Sequence, residues 1–313
     1  MLMVCGEALL DVFAAGETST GMTLDARVGG SPFNLAVGLA RLAQPVGFFG
    51  AISTGFAGER LMRALVAEGV HTGAVARNDA PTTLSLVGLD AQGVPSYAFY
   101  GDGGADRLLH AADLARVPDA ITALSIGSYA TVVEPIASTL RALVARECER
   151  GHGHGALIAF DPNIRLNVEP DLQRWRDQLA WMLPRTDLLK ISDEDLGLLQ
   201  PGTALDAFAL HALAQGVRAV VITRGALGAL GWTAQVSTRI EPVPVAVIDT
   251  VGAGDTFQAA LLTWLAEHGA LTAKALDALT PSGLHDALVF AARAAAITCS
   301  RRGADMPQRA ELR

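Results

Sequence analysis

A chain of 313 residues with a formal net charge of −8, its Lys and Arg scattered, argues against nucleic acid or an anionic membrane surface as partner. Its residues are 50% hydrophobic and 5% aromatic, with Ala, Leu, Val and Gly abundant, which excludes a disordered chain and suits a compact α/β protein. The length fits roughly two domains of about 150 residues, or one large α/β domain with a small lid.

Taken in chain order, Met1–Glu7 lacks a basic n-region and carries an early acid, so it does not read as a signal peptide. Leu2–Cys5, Val46–Ile52, Ala123–Ile126, Leu157–Phe160, Leu188–Ile191 and Ala219–Thr223 are short apolar runs expected to be buried strands. Arg60–Glu68, Glu134–Glu149, Leu172–Trp181, Leu205–Gln215 and Leu284–Thr298 carry helical spacing between them. That alternation predicts a doubly wound, mostly parallel sheet covered on both faces, with ligands outside the carboxyl ends of its strands. One segment departs from it. Thr82–Asp90 and Val94–Tyr100, joined by Ala91-Gln92-Gly93, read as a hairpin, and Val12–Arg27 is extended and turn-rich. Together they are expected to form a small β lid (12–27 and 79–105) on a large domain of 1–11, 28–78 and 106–313. The alternative is an antiparallel extension of the main sheet. Cys5, Cys148 and Cys299 have no metal or redox spacing and read as buried thiols in a reducing compartment. No uncharged apolar run reaches a membrane span, so a cytoplasmic protein is expected. His152 and His154, flanked by Gly151, Gly153 and Gly155, read as a surface loop without a third ligand for a metal.

Two glycine turns open helices. Asp249-Thr250-Val251-Gly252-Ala253-Gly254-Asp255-Thr256-Phe257 follows the Pro-punctuated run Ile240–Ile248. It feeds a helix whose stripe is Phe257, Ala260, Leu261, Trp264 and Leu265, with Gly269 placed to end it. A helix N-terminus offers unpaired N–H groups and the positive end of its dipole, a ready anion site. Asp255 beside that site is placed to take a proton from a hydroxyl that attacks a phosphoryl group. The plainer alternative makes Asp255 a helix cap. Gly29-Gly30-Ser31-Pro32-Phe33-Asn34 opens the second helix, with Ser31 expected at the N-cap, Pro32 at N1, and the Asn34 amide free to donate and accept. This neutral site suits a polyol better than a phosphate. A Walker phosphate loop is absent, and no G-x-G-x-x-G follows the first strand, which disfavours a dinucleotide-binding dehydrogenase and leaves the Gly252–Asp255 turn as the best candidate for an anion site.

With both turns in place, the chain resembles the PfkB-type (ribokinase-like) carbohydrate kinases, the bacterial fructokinases among them. The pieces that carry the resemblance are Gly6–Asp11, Gly29–Asn34, Phe160–Arg165, Lys190–Glu194, Thr223–Gly228 and Asp249–Phe257, in the expected order along nearly the whole chain. The resemblance implies an ATP-dependent sugar kinase with Asp255 as base and the amides of Gly252, Ala253 and Gly254 as the hole for the transferring phosphate. It implies Arg165 near the sugar or that phosphate, and Asp11, Gly29, Gly30 and Asn34 on sugar hydroxyls. It further implies Lys190, Thr223, Gly225 and Gly228 along ATP, and Asp193 and Glu194 toward Mg²⁺ through water. For Asp193 and Glu194 a solvated helix start is the plain alternative. The implied substrate is fructose, at its 6-hydroxyl. A 2-keto-3-deoxygluconate kinase and a non-catalytic sugar-binding regulator of the same fold are the rivals. A monovalent cation such as K⁺ near Asp249 and a homodimer through the lid edge are left open. Three positions depart from the pattern: Lys190 where many relatives carry Asn, Ala292 where Asn is common, and Gly101 where an Arg often approaches the substrate. The last leaves the identity of the sugar least secure.

Overall fold

Apolar runs too short for helices become central strands, and the helical stripes between them cover both faces. The computed structural model describes residues 1–89, 95–150 and 155–312. In chain order, β1 (Leu2–Cys5), β2 (Leu9–Glu17) and β3 (Met22–Gly29) precede α1 (Ser31–Arg41), β4 (Val46–Phe49), β5 (Ala51–Ser53), α2 (Phe56–Ala67) and β6 (Ala76–Asn78). The hairpin strands β7 (Leu84–Leu89) and β8 (Pro95–Tyr100) come next, then β9 (Ala123–Gly127), α3 (Ile136–Glu149), β10 (Leu157–Asp161), α4 (Leu172–Met182), β11 (Leu188–Ser192) and α5 (Asp193–Leu199). There follow α6 (Leu205–Ala214), β12 (Ala219–Thr223), β13 (Ala229–Thr233), β14 (Ser237–Ile240), α7 (Ala253–Glu267), α8 (Ala273–Asp277) and α9 (Pro281–Cys299).

The main sheet has eight strands in the order β14-β13-β12-β11-β10-β9-β1-β4. Neighbours from β4 to β12 are parallel, and β13 and β14 add an antiparallel edge. The alternation of side chains along β1 sends Leu2 and Val4 into one core and Met3 and Cys5 into the other. Residues of α1, α7 and α9 fill the first core, and residues of α3, α4 and α6 fill the second. Burial on both faces is why the strands are continuous apolar runs.

Val46–Ile52 was expected to be one strand, but it is two. At Gly50 the chain passes so close to the Gly6 carbonyl that a Cβ would collide with it, and β5 turns away to pair with β6. Edge strand β13 carries Gly231, β14 opens on the polar residues Ser237, Thr238 and Arg239, and no expectation covered them. The extended segment and the hairpin form a separate sheet, β3-β2-β7-β8, which sets aside an extension of the main one. Within it β2 and β7 run parallel, while β2–β3 and β7–β8 are antiparallel. The small sheet starts at Leu9 and returns to Gly29, so it takes in residues that the expected boundaries gave to the large domain. The hairpin turn Ala91-Gln92-Gly93, and His152 with His154, lie outside the described residues. No helix among the described residues is long and apolar enough to cross a membrane.

Candidate active site

Helix α7 begins on a backbone that only glycine accepts readily. Gly252 has φ 76° and ψ 0°, and a Cβ there would stand 2.6 Å from the Ala304 Cβ. The Ala253 N–H closes the turn onto the Thr250 carbonyl at 3.2 Å, so it is partly engaged, contrary to its expected place in an open anion hole. Gly254 N–H belongs to the first-turn amides that a helix leaves without an internal partner. Asp249 braces the turn: its carboxylate accepts from Val251 N–H at 3.0 Å and from Gly303 N–H at 2.8 Å.

Asp255 does not cap α7, whose N-cap is Gly252. Its buried carboxylate reaches sideways to the start of α1, accepting from Ser31 Oγ at 2.6 Å and from Asn34 Nδ2 at 3.0 Å. The N-cap of α1 is Gly30, at φ 101°, and not Ser31; Ser31 is the first helical residue and spends its hydroxyl on Asp255. Burial pushes the Asp255 carboxyl above its ordinary value, while Ser31, Asn34, Lys190 and Arg165 pull it back.

A cavity of about 750 Å³ opens beside this carboxylate. The inner face of the small sheet roofs it with Leu9, Asp11 and Phe13 of β2, Ser85 and Val87 of β7, and Phe99 of β8, alternate residues along their strands. Asp11 is pushed up to about 6 by burial, offset by Ser85 and Arg165. Gly30, Asn34 and Arg165 line the cavity, whereas Gly29 is not in its wall. Gly29 packs beneath Asp11, where a Cβ would fall on the carboxylate. The floor holds a second acid that sequence reasoning missed. Glu7 is 1% exposed, its Oε2 has no partner, and burial raises it to about 8 against a hydrogen bond to Ser128. Behind it, the buried Asp106 accepts from Thr83 Oγ1 and, at 2.8 Å, from Tyr129 Oη.

A second cavity, of about 600 Å³, lies on the other side of the turn and shares Asn163, Glu194, Thr250 and Gly254 with the first. Lys190, Thr223, Gly225 and Gly228 are all in its wall, as are Asp193, Glu194 and Ala292. The Pro-punctuated run after β14 supplies Pro242, Val243, Pro244, Val245 and Val247, an apolar wall that is partly open to solvent. Lys190 is buried and paired with Asp161, Nζ to Oδ2 at 2.7 Å, and a Cβ at Gly254 would stand 3.2 Å from that Nζ. The pair was not foreseen, although Asp161 ends β10 and Lys190 lies on the adjacent parallel strand β11. Asp193 and Glu194 open α5, capped by Ser192 onto Asp195 N–H at 3.0 Å. No cluster of three or more His, Cys, Asp or Glu able to hold a metal occurs among the described residues.

Residues 1–310 match the pfkB family of carbohydrate kinases. The chain belongs to that family. It is 35% identical to a fructokinase of Rhizobium leguminosarum bv. trifolii, over 91% of this chain and 86% of that protein. It is 32% identical to a fructokinase of Salmonella typhimurium, over 96% of this chain and 94% of that protein. Its fold superposes on a Xylella fastidiosa fructokinase with bound ATP at a TM-score of 0.87 and 28% identity, covering 99% of this chain and 96% of that one. A Vibrio cholerae O395 fructokinase double mutant with fructose, ADP and potassium ion bound aligns at a TM-score of 0.83 and 26% identity, covering 99% and 96%. The family and these likenesses make the chain an ATP-dependent sugar kinase.

Proposed function

We propose that this protein transfers the γ-phosphoryl group of MgATP to the 6-hydroxyl of fructose, with the sugar in the larger cavity and the nucleotide in the smaller. The observation that carries the reading is the buried Asp255 carboxylate beside the wall that the two cavities share. A sugar hydroxyl between Asp255 and the γ-phosphorus gives its proton to Asp255 as its oxygen bonds to phosphorus. The bond from phosphorus to the β-phosphate bridging oxygen breaks, and ADP leaves with that electron pair. Charge gathering on the phosphoryl oxygens is met by the Gly254 amide with the α7 dipole, by Lys190 and by Arg165. Asp11, Gly30 and Asn34 orient the sugar, and Gly29 leaves room for Asp11 to do so.

Asp193 and Glu194 offer hard carboxylate oxygens at the cavity junction and fit a Mg²⁺ ion held largely by phosphate and water. When bound, the ion neutralises phosphate charge. Potassium is named in the Vibrio cholerae structure, and we carry a monovalent cation over to the turn braced by Asp249. The open edges of the small sheet, where Met22, Leu24 and Tyr100 are exposed, suit pairing with a second copy. We place the protein in the cytoplasm, where ATP and its three unpaired cysteines belong.

The 2-keto-3-deoxygluconate and non-catalytic alternatives draw no support from these relatives. A coupled ADP-release screen over fructose, ribose, 2-keto-3-deoxygluconate and adenosine tests the reading, with fructose expected to give the highest kcat/KM. A higher value for any other sugar would overturn the substrate. The small sheet serves as a lid in this reading, so saturating fructose should slow backbone hydrogen exchange in β2, β7 and β8. Indifferent exchange would make it a fixed wall.

A further inference from the structure

Beside Ser31 and Asp255, which also line the larger cavity, lies a small space of about 20 Å³. Its wall includes Ser31, Ser125, Asp161, Asp255 and Gln258. Gln258 stands one turn after Asp255 on α7 and therefore shares its face. The residue is 1% exposed, yet neither its Oε1 nor its Nε2 has a protein partner. Asp161 Oδ1 on the same wall is also without one, although Oδ2 accepts from Lys190. A buried carboxamide with both ends unpaired and a carboxylate with one oxygen unpaired are costly, and native interiors satisfy such groups with protein or ordered water. About 10–15 Å³ and two to four polar partners are enough for one water molecule. This space meets both conditions. Lys190 already neutralises Asp161, so the site calls for a neutral donor and acceptor and not for a second cation.

We propose that this space holds one ordered water, bonded to the Gln258 carboxamide and Asp161 Oδ1, and that Gln258 acts through it as a positioning residue. The water restrains Asp161, which holds Lys190 Nζ against Gly254 on the phosphate side. It also lies against Ser31 and Asp255, so one molecule braces the base and the cation together. The presence of the water is independent of any role for Asp255; the positioning role rests on the phosphoryl-transfer reading above.

Two measurements test it. A crystal structure of the wild-type protein, at a resolution that shows ordered solvent, should have a density peak within hydrogen-bonding distance of the Gln258 carboxamide and Asp161 Oδ1. A dry cavity, or Gln258 turned to bond Asp161 directly, overturns the proposal. Gln258→Met keeps the volume and removes both polar ends. It should lower kcat on the order of tenfold, the scale of a slight misplacement of reacting groups, with the KM for sugar nearly unchanged. The acid limb of its kcat profile should move to higher pH, because Asp255 loses a neighbouring dipole that favours its charged form. A merely structural role would lower stability and leave that limb in place, and an unchanged kcat and limb would remove the positioning role. Should Gln258→Met fail to fold, the wild-type density decides alone. If Asp255→Asn proved fully active while the peak was present, the base assignment would fall and the water would stand.

Discussion

The two cavities meet at one glycine turn and are built from opposite materials. The larger is floored and roofed by titratable groups, Glu7, Asp11 and Asp255, each pushed upward by burial. The smaller is walled by the apolar Pro242–Val247 run; its lysine is held in the Lys190–Asp161 pair, and its carboxylates Asp193, Glu194 and Asp195 all come from the first turn of α5. A ring system with attached phosphates needs an apolar wall and a helix N-terminus, and little else to recognise it. A polyol has no charge and little apolar surface, so its recognition falls to acceptors and donors held in fixed places. In the proposed reading the chemistry sits on the polyol side, because the nucleophile is there.

The strongest way to break this contrast is Asp255→Asn. Asp255 caps nothing, and its two donors come from Ser31 and Asn34. Asn34 can turn its carboxamide to keep a bond with the new amide, so stability should change by less than about 1 kcal/mol. Loss of the proton acceptor should nonetheless reduce kcat roughly 10²–10⁴-fold, with ATP and fructose still bound. Near wild-type turnover would leave the raised carboxyl without a catalytic meaning. Next in size is Asp11→Ala. Losing hydrogen bonds to a charged group, about 1.5–3 kcal/mol, should lower kcat/KM for fructose by roughly ten- to a hundredfold. The KM for ATP should hardly move; if it rises in step, the two cavities are not separate in function.

How much of this was legible follows the range over which each feature is determined. The parallel sheet could be read because Leu2–Cys5 and residues 219–222 are apolar at every position, as burial on both faces demands. The α7 turn could be read because Gly252, Gly254 and Asp255 are neighbours in the chain. What could not be read joins residues far apart. Ser31 looked like a cap because Ser before Pro commonly is one, and its use by Asp255 depends on the packing of α1 against α7. Gly29 looked like a ligand contact, and it is a space left for Asp11 on the adjacent strand. Gly50 gave no sign of ending β4, since the obstacle is the carbonyl of Gly6. Glu7 could be seen only as an early acid in Gly6–Asp11, and its place in the cavity floor comes from the strand end that follows β1. The antiparallel edge at β13 and β14 was missed because Gly231 and the polar run of Ser237, Thr238 and Arg239 weaken the strand pattern.

Glu7 offers a sharper probe of the polyol side, with stability as readout. Its carboxyl titrates near 4.5 when unfolded and about 8 when folded, so between these values the native state binds more protons. Stability of the unliganded protein should therefore fall as pH rises through that window, with a slope of at most about 1.4 kcal/mol per pH unit from this group. Glu7→Gln keeps the shape and removes the titration. Denaturant midpoints taken across the window should show a flatter slope in the variant. Equal slopes in the two proteins would mean that Glu7 is charged in the fold and paired with a group closer than Ser128.

The smallest effect is expected on the other side. Val247 is 61% exposed and stands with Val245 in the apolar wall of the smaller cavity. Val247→Ser removes two methyl groups from the wall and adds a hydroxyl without disturbing the core. If a purine ring packs there, the lost apolar contact is about 1 kcal/mol, or roughly fivefold in the KM for ATP. Neither the KM for fructose nor the acid limb of the pH profile should change, because this run contributes no residue to the wall of the larger cavity. A matching rise in the KM for fructose would show that the wall reaches the sugar, and the division of labour between the cavities would then have to be redrawn. An unchanged KM for ATP would move the ring off this run, toward Ala292 and Ala296 on α9.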